Sequence, residues 1–120
     1  MQFLIRLSLS GGGRPNTEME GRAFIENYIF PTLKRCIELQ KERKIIAGGP
    51  EVGAIALSLI LEAPSAPELD NMIASLPLWP RMETSVTPLT TFEDRQRSVD
   101  AVLAMLESRT HTHKTVDALR

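Results

Sequence analysis

Polar and apolar residues alternate from the start of the chain. Phe3, Ile5, Leu7 and Leu9 fall on one side of residues 2–9, and Gln2, Leu4, Arg6 and Ser8 fall on the other. A period of two predicts a strand. Gly11-Gly12-Gly13-Arg14-Pro15-Asn16 then breaks regular structure. Thr17-Glu18-Met19-Glu20 has capping-box spacing: a hydroxyl for one free amide, and a carboxylate three residues on that reaches back. The spacing predicts a helix running to about Arg43, with Ile25, Ile29, Leu33, Cys36 and Ile37 on an apolar stripe that ends at Gln40. Pro31 lies inside that pattern, removes one helical hydrogen bond and predicts a kink or break near Phe30.

Lys44-Ile45-Ile46-Ala47 reads as a short strand, and Gly48-Gly49-Pro50-Glu51-Val52-Gly53 as a turn rich in breakers. Ala54 to Glu62 is the strongest strand signal. Ile55, Leu57, Leu59 and Leu61 make one apolar face, and Ala54, Ala56, Ser58 and Ile60 a nearly apolar second one. Ser65-Ala66-Pro67-Glu68 is another capping box, with proline in the first helical turn where it does least harm. Leu69, Met72, Ile73 and Leu76 share one face of the helix that follows, and Pro77 and Pro80 stop it. Met82 to Thr90 is a last strand. Thr91-Phe92-Glu93-Asp94 restarts a helix over 92–108, with Val99, Val102, Leu103 and Leu106 on one stripe. Residues 110–120 are polar and patternless, and read as a flexible, frayed tail.

Strand, helix, strand, strand, helix, strand is the split βαβ, or ferredoxin-like, order of an α+β fold, here with one extra helix. Residues 1–109 are expected to form a single domain. A lone sheet of this kind wets its second face, yet the strand over 54–62 is apolar on both sides and Leu4 adds to the second face. Burial on both sides needs a second cover, and the economical cover is the same face of another copy. A homodimer in which two sheets close a barrel is therefore expected. The extra helix either packs beside its own helices or reaches over the partner.

Composition narrows the partners. Fourteen basic residues against 15 acidic ones leave a net charge of −1, with no basic excess to neutralise phosphates, so nucleic acid is not an expected partner. Cys36 is the single cysteine, which rules out an intrachain disulfide and suits a reducing compartment. The start of the chain lacks a basic leader, Arg6 interrupts its apolar run, and Ala54 to Leu61 is far too short to span a membrane. A cytoplasmic protein without a membrane partner is expected.

Glu68-Leu69, Met72, Ile73, Leu76-Pro77-Leu78-Trp79-Pro80, Met82 and Val86-Thr87-Pro88-Leu89 are similar to the C-terminal half of muconolactone delta-isomerases, and Glu38-Leu39-Gln40 fits the same family. The resemblance covers about two thirds of the chain. It implies a dimeric α+β barrel, a small cofactor-free enzyme of aromatic catabolism, and subunits that pair and assemble further. The isomerases carry polar, basic and aromatic groups, histidine included, where this chain has Lys44 to Pro50. Ser85 stands where they carry an acid, and the three-glycine turn and the helix over 92–108 are additions.

Moving a double bond in an unsaturated lactone takes a base beside an activated carbon and a partner for charge building on the carbonyl oxygen. Glu83, in the last strand, is the candidate base. Arg6, mid-strand on the face of Leu4, is the candidate anion anchor or enolate partner. Tyr28, the single tyrosine, offers a phenol. Trp79 offers a pocket wall, Arg81 a guard at a pocket mouth, and Glu51 a carboxylate in reach of a cavity. Each has a plain alternative: solvated strand or turn carboxylates, a paired or rim arginine, surface charge, or rings that fill a core edge. Cys36 sits on an apolar stripe with no histidine near, as inert structural cysteines do. His111 and His113 lie in the tail, so no core histidine serves as metal ligand or base, and no metal site is expected. Gly11-Gly12-Gly13-Arg14 lacks the lysine and hydroxyl of a phosphate-binding loop. The expected function is a cofactor-free isomerase, or a related proton-transfer enzyme, acting on a small carboxylated lactone or cyclic acid. The rivals are a ligand-binding or scaffolding barrel without catalysis, and a cofactor-free monooxygenase on the same scaffold.

Overall fold

A computed structural model describes the backbone of residues 1–9, 11 and 14–118, and the side chains of all of these except 111–118. The elements are strand β1 (Gln2–Leu9), helix α1 (Glu18–Phe24), a π-helical segment (Ile25–Ile29), helix α2 (Phe30–Lys41), strands β2 (Ile45–Pro50) and β3 (Ala56–Glu62), helix α3 (Ala66–Ala74), a 3-10 turn (Trp79–Arg81), strand β4 (Met82–Leu89) and helix α4 (Phe92–Ala118). The sheet is antiparallel with strand order β2-β3-β1-β4. That is the ferredoxin-like arrangement of an α+β fold.

Alternation along β1 decides the layers. Phe3, Ile5 and Leu7 are buried, and they meet Leu61, Leu59 and Leu57 across the β1–β3 ladder. Leu39 of α2 and Leu69, Met72 and Ile73 of α3 close over this face, with Leu76 just beyond α3. Leu4, Arg6 and Ser8 point the other way, opposite Ile60, Ser58 and Ala56. On this open face of the unit Met1–Leu89, Leu4 is 44% exposed.

Three details depart from the sequence expectations. Pro31 does not break the helix. The preceding turn widens to a π-helix in which the Phe30 N–H donates to the Ile25 carbonyl, and this wider turn accommodates a residue with no N–H of its own. The expected turn at 48–53 is shorter, because β2 continues through Gly48, Gly49 and Pro50, paired with Leu59, Ser58 and Leu57. An edge strand tolerates proline because one of its sides needs no donor. β3 accordingly starts at Ala56, and Ala54 and Ile55 belong to the connection.

The chain divides into two compact units, Met1–Leu89 and Thr90–Arg120. α4 starts at Phe92 as expected and continues to Ala118, through the segment read as a tail from Thr110. Neither glycine nor proline occurs there, and the Thr110 hydroxyl donates to the Leu106 carbonyl at 2.9 Å. Val99, Val102, Leu103 and Leu106 are about half exposed (50–55%). The side chains of His111 and His113, and the residues Ser10, Gly12 and Gly13, lie outside the described residues.

Candidate active site

The candidate residues fall into two places. The first is the open sheet face. Arg6 sits opposite Ser58 on one neighbour and Ser85 on the other, and Glu83 lies opposite Ser8 on the same face. The turn after β2 swings Glu51 over this face, held by its own N–H, which donates to the Ala56 carbonyl at 2.9 Å. Arg6 then grips Glu51 with two bonds, Nε to Oε2 at 2.8 Å and Nη2 to Oε1 at 3.0 Å. The Ser58 hydroxyl adds a third to Oε2 at 2.8 Å. The Arg6 and Ser58 hydrogen bonds hold the Glu51 carboxyl below its ordinary pKa, and Glu51 in turn raises that of Arg6. The Arg6 fork, expected as an anion anchor, therefore has its anion already, from within the chain. Glu83 is exposed beside this cluster.

The second place is a cleft of about 390 Å³ between the start of α1, the π-helical segment and the 3-10 turn, lined by Arg14, Asn16, Glu20, Phe24, Tyr28 and Arg81. Local rules build it. The cap forms at Thr17, and the Glu20 carboxylate reaches one residue further back than in a capping box: the Glu20 N–H donates to Thr17 Oγ1 at 3.1 Å, and the Asn16 N–H donates to Glu20 Oε2 at 2.9 Å. That second bond fixes the Glu20 carboxylate at the rim. Phe24 and Tyr28, four apart, share one helix face with ring centroids 5.8 Å apart. The Arg81 guanidinium carbon lies 4.5 Å from the Tyr28 ring centroid and 5.6 Å from that of Phe24. Cations seek ring faces because of the ring quadrupole.

Thr32 supports this arrangement from below. It is the one buried polar residue among those described, and its Oγ1 accepts the Leu78 N–H at 2.9 Å. The Leu78 carbonyl accepts the Arg81 N–H at 3.0 Å, so α2 fixes the turn that carries Arg81. Trp79, in the same turn, is 38% exposed and is not among the lining residues of the cleft.

The structure thus brings Tyr28 and Arg81 together, groups Arg6, Glu51 and Glu83 elsewhere, and leaves Trp79 with neither. Arg14, Asn16, Glu20, Phe24 and Thr32 escaped the sequence reading. The i, i+4 spacing of Phe24 and Tyr28 was the available signal, while Arg14 and Glu20 were read only as loop and cap. Burial pushes the Cys36 thiol pKa up, which favours the unreactive thiol over the thiolate. No group of three or more metal-ligating side chains occurs among the described residues.

The sequence matches the family profile of muconolactone delta-isomerase over residues 15–95, a span that ends in the first turn of α4. A crystal structure of muconolactone isomerase superposes with a TM-score of 0.63 at 20% identity, covering 76% of this chain and 90% of that one. The 5-chloro-2-hydroxyhydroquinone dehydrochlorinase of Burkholderia phenoliruptrix AC1100, solved with 2,5-dihydroxybenzoquinone, gives 0.57 at 24% identity over 78% of this chain and 98% of that one. At such identities the likeness is one of fold, the subunit fold of the dimeric α+β barrels. No curated protein sequence matches.

Proposed function

This chain belongs to the muconolactone delta-isomerase family, and from that membership we propose a cofactor-free isomerase, or a related proton-transfer enzyme, acting on a small carboxylated lactone or cyclic acid. The observation that carries the reading is the cleft in which a carboxylate, guanidinium groups and a phenol converge (Glu20, Arg14, Arg81 and Tyr28). Those are the groups the reaction asks for. Arg81 and Arg14 bind the substrate carboxylate. Glu20 removes a proton from the saturated ring carbon at the far end of the conjugated double bond, and the electron pair moves through that bond onto the carbonyl oxygen. Tyr28 donates a hydrogen bond to that oxygen while the charge is there. The proton then returns at the carbon beside the carbonyl, which shifts the double bond with no net gain or loss of atoms.

A second reading keeps Glu83 as the base and Arg6 as the anchor. Their shared open face favours it, but it requires a substrate to displace Glu51 from Arg6. In either reading the open face with Leu4 and Ile60 meets its counterpart on a second copy across a two-fold axis, closing a barrel. Sedimentation of the full chain as a monomer would remove that dimer.

The direct test is muconolactone in deuterated buffer with the full chain, followed by NMR. Deuterium uptake at the isomerised position is expected for the natural sequence. Arg81→Gln is expected to raise KM about tenfold or more, in line with the loss of a charge-assisted contact. Absence of exchange into muconolactone and into smaller unsaturated lactone acids removes the isomerase reading.

A further inference from the structure

Two further cavities follow the one that Tyr28 and Arg81 line. Their chain neighbours Ile29 and Met82 line a second cavity of about 190 Å³, together with Thr32, Leu33, Leu57 and Leu78. Leu33, Pro50 and Leu57 also line a third cavity, of about 310 Å³, which reaches Cys36 and Gln40 under α2. The three lie in a row along the helical run from Glu18 to Lys41, within the unit Met1–Leu89. Their character changes along the row. Arg14, Glu20 and Arg81 mark the first, whereas beyond Ile29 the walls are almost wholly hydrocarbon until Gln40.

The apolar part exists because β2 supplies little bulk beneath α2. Gly48, opposite Leu59 of the core face, has no side chain and cannot take one. Its φ is 101°, and a Cβ there would sit 2.0 Å from the Ser58 carbonyl oxygen. The next core-facing position on β2 is Pro50. Both apolar spaces are half-open clefts, and water gains nothing from walls that cannot hydrogen-bond it. A small ring acid alone fits the polar cleft and leaves the rest of the row unused.

We infer that the substrate is an amphiphilic carboxylate, a small ring acid whose apolar arm runs from the Tyr28–Arg81 cleft past Leu33 and beneath α2 toward Gln40. This rests on the reading of the cleft as the substrate site. The carboxylate stays with Arg81 at the mouth. The arm gains affinity with each methylene until it meets the end of the row.

The experiment is calorimetric titration of the full chain with para-alkylbenzoates, from benzoate to para-octylbenzoate. Affinity is expected to rise about fourfold per methylene, the increment for hydrocarbon leaving water. Leu33→Phe, at the junction of the two apolar cavities, should flatten the rise from short arms onward. Cys36→Met, deeper in the row, should flatten it only for the longer arms. Benzoate that binds with no gain from the arm overturns this inference and leaves the cleft standing. Para-alkylbenzyl alcohols that bind as tightly as the matching acids overturn the cleft reading and the inference with it. A rise that persists unchanged in both variants means the arm lies elsewhere, and also overturns it. The length series on the natural sequence decides the matter even if one variant fails to fold.

Discussion

Two regions of this molecule carry an arginine, a glutamate and a hydroxyl, and they differ in what those groups do for one another. On the open sheet face the Arg6 fork and the Ser58 hydroxyl donate three hydrogen bonds to the Glu51 carboxylate at 2.8–3.0 Å. In the cleft, Arg81 is seated against the faces of Tyr28 and Phe24, and Glu20 is tethered by a single backbone amide. The first arrangement is closed chemistry on a sheet surface. The second sets polar groups from three elements around a cleft of about 390 Å³. A concave cluster of this kind surrounds a small molecule on several sides, which a cluster lying on a sheet surface does not.

Turnover is the sharpest way to break this comparison. If the cleft is the site, Tyr28→Phe removes the donor to the developing oxyanion and lowers kcat about a hundredfold. Glu83→Gln, on the other face, then leaves kcat and KM within about twofold. The reverse result, with Glu83→Gln inactive and Tyr28→Phe active, moves the reaction to the open face. Steady-state kinetics on muconolactone, followed by ultraviolet absorbance, separates the two.

Thr32 sharpens the comparison from underneath. Thr32→Val keeps the shape of the side chain but leaves the Leu78 N–H buried without its acceptor. The expected loss is about 1–3 kcal/mol of stability, read by urea denaturation. Because that amide belongs to the turn carrying Arg81, KM is expected to rise in the same variant. Thr32→Ser, which restores the hydroxyl, is expected to recover KM and part of the stability. A variant that loses stability with no change in KM separates the turn from substrate binding.

How far the residues announce all this depends on range. β1, the N-caps Thr17 and Ser65 and the stripe of α3 are written in spacings of two, three and four, and they appear where those spacings place them. The β2 extension was not legible, because Gly48, Gly49 and Pro50 have turn propensity and only the edge of a sheet makes a strand of them. The Arg6–Glu51 pair spans 45 residues and the Thr32–Leu78 bond 46, and no local pattern encodes either. The cleft joins residues from the loop after β1, from α1 and its π-helical extension, and from the turn before β4. Tyr28 and Arg81 were each visible as chemistry, but only the fold could show that they meet.

The smallest expected effect concerns pH, and it tests whether the open face is structural. The Glu51 carboxyl is held below its ordinary range by Arg6 and Ser58 in the folded chain. In the unfolded chain it returns to the usual glutamate value. A depressed folded pKa means that folding favours the ionised form. The stabilisation is therefore fully present above the unfolded value and is lost as pH falls through the folded one. Arg6, whose pKa is raised, stays charged throughout that window. Both side chains meet solvent (52% and 27% exposed), so screening keeps the effect small. The stability difference between the natural sequence and Glu51→Gln should be level from neutral pH down to about 5 and shrink below it, because the amide has no proton to take up. Added salt should reduce the difference at neutral pH. A difference that ignores both acid and salt would mean that the ion pair contributes nothing as an ion pair, and would leave Arg6 available to the substrate after all.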